Sequence, residues 1–123
     1  MSKSKSIVCP DAHRFEGQVI GDGHCVSFIK QCAGAPRTAL WQPGKHVLDT
    51  RLKTGTIIAT FLNGQYPNMS GYHAAIYIEH NRNGIWVWDQ WRGKPVHKRF
   101  IRRRNDGAPA SNTAQAYRIV KIP

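Results

Sequence analysis

From residue 56 to the C-terminus the chain reads as short β-branched or aromatic runs separated by tight polar turns, and this pattern constrains the fold more than any other feature. The runs span 56–62 (TIIATFL), 72–80 (YHAAIYIEH), 85–91 (IWVWDQW), 96–103 and 116–122. Between them stand Asn63-Gly64, the NRNG turn at 81–84, the RGKP turn at 92–95 and a polar loop at 104–113. Runs of this length and composition bounded by such turns predict strands, and their short connections predict antiparallel neighbours. Only one segment has the helical period: Cys25, Phe28, Ile29 and Cys32 recur at i, i+3, i+4 and i+7, so residues 24–32 predict a helix. Gly34 and Pro36 end it. One helix followed by about five antiparallel strands predicts an α+β domain, with the helix packed on the sheet.

The remaining segments are less regular. Residues 1–6 form a Ser/Lys tail expected to be mobile, since nothing in it packs. Phe15 to Ile20 is the first structured candidate; residues 35–44 read as loop, and 45–52 as a short helical turn. At 123 residues the chain is expected to form a single domain, residues 1–123, burying roughly two thirds of its unfolded surface. Hydrophobic residues at 41% and charged residues at 20% argue against disorder.

The charge is lopsided, with 18 Lys and Arg against 7 acidic residues and a formal net charge of +11. Such a surface selects anionic partners, among them nucleic acid, anionic lipid and bacterial cell wall. No run approaches the roughly 20 apolar residues of a membrane-spanning helix, so no membrane insertion is expected. The N-terminal run breaks at Pro10 and Asp11 before a signal-peptide core develops.

Three cysteines, Cys9, Cys25 and Cys32, permit at most one disulfide within the chain and leave at least one thiol free. Cys25 stands at the first turn of the predicted helix, just after Gly21-Asp-Gly-His24. Unpaired N–H groups and the positive end of the helix dipole favour a thiolate there, and the same N–H groups suit a developing oxyanion. Cys25 is therefore the candidate nucleophile. Cys9 and Cys32 either form a disulfide, which suits an oxidising compartment, or remain thiols without special role.

A cysteine nucleophile needs an imidazole as base and a third polar group to orient it. His73 opens the second predicted strand, where a sheet can fix a side chain at the edge of a cleft. Asp89 lies across the NRNG turn among tryptophans, where a carboxylate must be paired. Side chains alternate along strands, so an unbulged hairpin puts Gln90 on the His73 face and a one-residue bulge puts Asp89 there instead. The sequence leaves both open.

These residues carry a resemblance. GHCVSFI at 23–29 resembles the nucleophile motif of the papain-like cell-wall amidases, the NlpC-type peptidases and CHAP domains. KTGTIIATF at 53–61 is similar to the glycine turn and apolar strand that follow in them. HAAIYI at 73–78 resembles their histidine strand, and VWDQW at 87–91 the CHAP segment bearing the third residue. The match covers about residues 17–92. It implies Cys25 as nucleophile, His73 as base and Asp89 as orienting residue, with Gln90 the alternative. Thr56 departs from the pattern, standing where these families usually carry an acidic residue. Compact basic domains of this kind most resemble type VI secretion amidase effectors, made in the bacterial cytoplasm, exported without a classical signal and acting in a rival's periplasm.

The resemblance implies amide hydrolysis through a thioester, with a peptidoglycan stem peptide as substrate and room for an immunity protein as a second partner. It implies no cofactor. His24 and Trp91 are candidate substrate contacts beside the nucleophile and the third residue. No metal site is expected, because no Cys-x-x-Cys or His-x-x-x-His spacing occurs. His13, His46, His80 and His97 read as surface or capping residues, and Lys98, Arg99 and Arg102 to Arg104 as a solvated strand and loop. Trp86, Trp88 and Trp91 serve either the core or a stacking platform. Two alternatives remain: a phage lysin of the same fold, and a basic nucleic-acid-binding module, which lacks any helix-turn-helix, zinc-finger or RNA-recognition signature.

Overall fold

A computed structural model describes residues 4–123. It is an α+β structure with one α-helix, α1 (Cys25–Ala33), and a seven-stranded sheet in which every pairing is antiparallel. The strands are β1 (Lys5–Ser6), β2 (Gln42–His46), β3 (Ile57–Thr60), β4 (Ala74–Asn81), β5 (Gly84–Trp91), β6 (Lys94–Arg102) and β7 (Tyr117–Ile122). They lie in the order β1-β7-β3-β4-β5-β6, and β2 also pairs with β7. The five expected strands are present as β3 to β7, and the single expected helix is α1.

Two strands were not expected. β2 reads QPGKH, and its proline and glycine argue against a strand. It is nevertheless tolerated because it pairs with β7 alone among the described residues, as an edge strand where Pro43 need not complete a ladder on both sides. Gly44 allows the approach: a side chain there would meet the Ile119 carbonyl at 2.8 Å. β1 corrects the expectation of a mobile tail over 1–6, since Lys5 and Ser6 pair with Ile122 and Lys121; residues 1–3 of that tail lie outside the described residues. The helical turn expected at 45–52 shrinks to a 3-10 turn, Val47–Asp49, because β2 claims Lys45 and His46. Another, Ala12–Phe15, precedes the irregular stretch from Glu16 to Ile20.

The sheet buries both faces. On one, Phe28 and Ile29 of α1 pack with Ile57, Ala59, Ala74, Ile76 and Val120. On the other, Ile58, Ala75, Tyr77, Val87 and Tyr117 close over Val47 and Ala114. This explains why β3, IIAT, shows no alternation of buried and exposed residues: all four are buried. Cys9 and Cys32 form a disulfide that ties the last turn of α1 to the N-terminal segment. At Gly34 the chain turns left-handed (φ 66°), and its N–H donates to the Lys30 carbonyl at 2.9 Å. No helix among the described residues is long and apolar enough to cross a membrane.

Candidate active site

Cys25 is the first residue of α1, and His24 before it is extended (φ −76°, ψ 154°) with no capping bond from its side chain. Asp22 stabilises this end instead. Its Oδ1 accepts the His24 N–H at 3.0 Å and the Ser27 hydroxyl at 2.6 Å, and these bonds hold its carboxyl below the usual range, Ser27 most strongly. Gly21 makes the turn feasible: its φ is 58°, and a side chain there would run into the Ser27 Cβ at 2.8 Å. Behind the loop, fully buried Gln90 accepts the Ile20 N–H at 2.9 Å and donates to the Ile20 carbonyl at 2.9 Å and the His24 carbonyl at 2.8 Å.

His73 stands immediately before β4 and is almost fully buried. Thr60 holds its backbone on both sides. The Thr60 hydroxyl accepts the His73 N–H at 2.9 Å, and the Thr60 N–H donates to the His73 carbonyl at 3.0 Å. On the imidazole, Nε2 lies 2.7 Å from Oδ2 of Asp89, and Cys25 lies close enough to the ring for each group to shift the other's titration.

The register question left open by the sequence is decided in β4. Asn81 to Glu79 pair with Gly84 to Trp86 in step, but Tyr77 pairs with Val87, so one extra residue lies between Tyr77 and Glu79. That bulge reverses the parity of the hairpin below it. Asp89 consequently shares a face with His73, and Gln90 points to the opposite face. Gln90 as orienting residue is therefore corrected: its polar atoms meet Ile20 and His24, and none meets His73.

Asp89 is fully buried, and its Oδ2 also accepts bonds from Arg99, at 3.0 Å from Nε and 2.8 Å from a terminal nitrogen. Among the described residues its Oδ1 has no hydrogen-bond partner; Nε2 of His97 stands 3.7 Å from it. Arg99 and His97 are thus corrections to the solvated strand and surface histidine expected there. Sequence periodicity could have found Arg99, because it lies beside Asp89 on the same face of the β5–β6 hairpin, where Val87 pairs with Arg99 and Asp89 with His97.

Burial pushes the Cys25 thiol up, but the His73 hydrogen bond and charge, aided by Tyr66, bring it below the ordinary range. Burial likewise opposes a charged His73, yet the bond to Asp89 and the nearby Cys25 push its pKa up to about 9. Burial also disfavours the Asp89 carboxylate, and His73 followed by Arg99 reverses that and lowers its pKa. The three groups together favour a thiolate, an imidazolium and a carboxylate.

Tyr66 was not anticipated. Its hydroxyl lies 3.4 Å from the Cys25 sulfur, and burial together with Cys25 raises its pKa, so it remains a donor toward a thiolate. Thr56, at the position where an acidic residue was expected, donates to the Lys53 carbonyl at 2.6 Å and braces the turn before β3. A cavity of about 630 Å³ opens over the pair, with His24, Cys25, Lys30, Tyr66, His73 and Trp91 in its wall. Trp91 is 40% exposed and packs edge-on to the His73 ring at 6.2 Å.

Three comparisons meet this geometry. The profile of the family described as "Domesticated amidase effector 2" matches residues 1–119. A type VI secretion amidase effector 2 protein of Salmonella typhi is 40% identical over 117 residues, covering 83% of this chain and 88% of the relative. Domesticated amidase effector 2 of Ixodes scapularis is 38% identical over 122 residues, covering 93% and 84%. The solved structure of a type 6 secretion amidase effector 2 superposes with a TM-score of 0.83 at 37% identity, over 94% of each chain.

Proposed function

The chain belongs to the domesticated amidase effector 2 family, and from that premise we propose that it is a Cys25-dependent hydrolase of peptidoglycan stem-peptide amide bonds, delivered by type VI secretion into the periplasm of a target cell. It is an amidase effector of papain-like α+β fold. The observation that carries the proposal is the order Cys25, His73, Asp89 in one connected set, with a buried carboxylate behind the imidazole and an open cavity before the thiol.

In this reading the Cys25 thiolate attacks the amide carbonyl carbon, and N–H groups at the start of α1 stabilise the oxyanion. The His73 imidazolium gives its proton to the nitrogen as the C–N bond breaks, releasing a free amine and leaving a thioester on Cys25. Neutral His73 then takes a proton from water as that water attacks the thioester. The C–S bond breaks, the carboxylic acid departs and the thiolate–imidazolium pair is restored. Asp89 holds the ring with its Nε2–H fixed and offsets the imidazolium charge. Tyr66 donates toward the thiolate, and His24 and Trp91 flank the substrate.

The charge of +11 suits a carboxylate-bearing wall. An immunity protein that occludes the cavity is the partner such an effector requires in its own producer. The test is expression in a susceptible bacterium with and without a periplasmic leader. Lysis is expected only for the periplasmic form, and only with Cys25 intact; equal toxicity of the cytoplasmic form, or of periplasmic Cys25→Ala, would contradict the proposal.

A further inference from the structure

His73 is a shared wall. A second cavity of about 360 Å³, whose wall includes His73 but not Cys25, is bounded by Tyr72, His73, Trp91, Arg99, Ser111 and Asn112, and it meets the larger cavity along Tyr72, His73 and Trp91. The imidazole delivers its proton to the departing amine, so the amine half of the substrate lies on the His73 side of the scissile bond. The acyl half stays with Cys25. The second cavity therefore receives the residue that leaves.

Its lining is cationic in a way the catalytic set alone does not require. The single carboxylate of Asp89 is shared through its Oδ2 between His73 and Arg99, so the guanidinium has no carboxylate to itself. Arg99 directs Nε and one terminal nitrogen at Asp89, and its other terminal nitrogen reaches Oδ1 of Asn112 at a stretched 3.4 Å. Five N–H donors on a guanidinium exceed the three bonds to Asp89 and Asn112. Asn112 turns its oxygen to Arg99, which leaves its exposed amide nitrogen as a further donor. The Trp91 ring stacks over the guanidinium, 5.2 Å from its carbon, and is a flat wall for the leaving residue.

We propose that this second cavity is a carboxylate-binding subsite for the amine half of the substrate, with Arg99 and Asn112 as its donors. It rests on the amidase reading given above and adds the preference to it. Every residue released as a free amine from a stem peptide that also bears a carboxylate next to that amine presents the required group, whichever amide bond is cut.

The experiment uses two synthetic stem-peptide analogues with the same scissile amide, one bearing a free carboxylate on the amine-side residue and the other its carboxamide. Wild type is expected to favour the carboxylate by about tenfold or more in kcat/KM, as charge-assisted hydrogen bonds of this kind provide. Asn112→Asp places a negative charge at the same spot and is expected to bring the ratio close to one, while turnover of the carboxamide reports separately on the catalytic centre. Equal kcat/KM for the two analogues in wild type overturns the proposal, as does a ratio unchanged by Asn112→Asp. Failure of wild type to cleave either analogue contradicts the amidase reading and removes the proposal with it.

Discussion

Cys25 and His73 shift one another in opposite directions, so the active protonation state has a defined pH window. Below the raised His73 pKa of about 9 the imidazolium is present to protonate the departing amine; above it that proton is lost. Activity is accordingly predicted to decline as pH rises through about 9, which a kcat/KM profile checks. The linked stability has the same sign. His73 is raised above its ordinary 6.5, so its contribution to folding is complete below 6.5 and disappears as pH rises through about 9. Asp89→Asn removes the partner that raises His73; it is predicted to lower kcat by about 10²-fold or more and to move that limb to lower pH. Arg99→Met leaves the buried Asp89 carboxylate short of a partner, with a predicted loss on the order of 3 kcal/mol, measured by denaturant unfolding. Cys25 and His73 were singled out by residue type, order and spacing, whereas Asp89 came from the family resemblance with Gln90 open beside it. Tyr66 was not legible, because its role comes from a neighbour remote in sequence; Arg99 stood within a basic run, and only strand alternation across the β5–β6 hairpin puts it on the face of Asp89.

At the scale of the element, one extra residue in β4 decides which side chain serves His73. Strand alternation made Asp89 and Gln90 equally eligible, and a bulge inside a hairpin leaves no mark in a pattern of period two. With Asp89 on one face, Gln90 is free to brace the nucleophile loop from the other. Gln90→Leu would strand the Ile20 N–H and carbonyl and the His24 carbonyl. A cost of about 1–3 kcal/mol is predicted, together with a lower kcat as the start of α1 loosens, read by unfolding and steady-state kinetics on the same variant. The helix itself was plain from its apolar spacing and from Gly34. β2 was not, since Pro43 and Gly44 are poor strand formers and only the edge of β7 makes their extended form useful.

For the whole molecule, two cores share one sheet, and the Cys9–Cys32 bridge ties the end of α1 to the N-terminal segment on one side of it. The bridge spans 23 positions in sequence, a loop for which restricted unfolded-state freedom is worth about 3 kcal/mol. Cys9→Ser with Cys32→Ser is predicted to lower Tm by several degrees in calorimetry, while thiol titration of the native protein should find one reactive group, Cys25. The count of three cysteines admitted this arrangement without choosing it; the fold chooses it by bringing the two Cα atoms to 5.6 Å. A bridge of this kind fits an enzyme that works outside the reducing cytoplasm. The central claim, that Cys25 carries the hydrolysis of peptidoglycan amides, is tested most directly by incubating purified protein with bacterial sacculi and identifying the released fragments by mass spectrometry. Wild type should generate a new free amine and a new carboxylate at one amide bond, and Cys25→Ala should generate none; the same fragments from both proteins, or none from either, would contradict it.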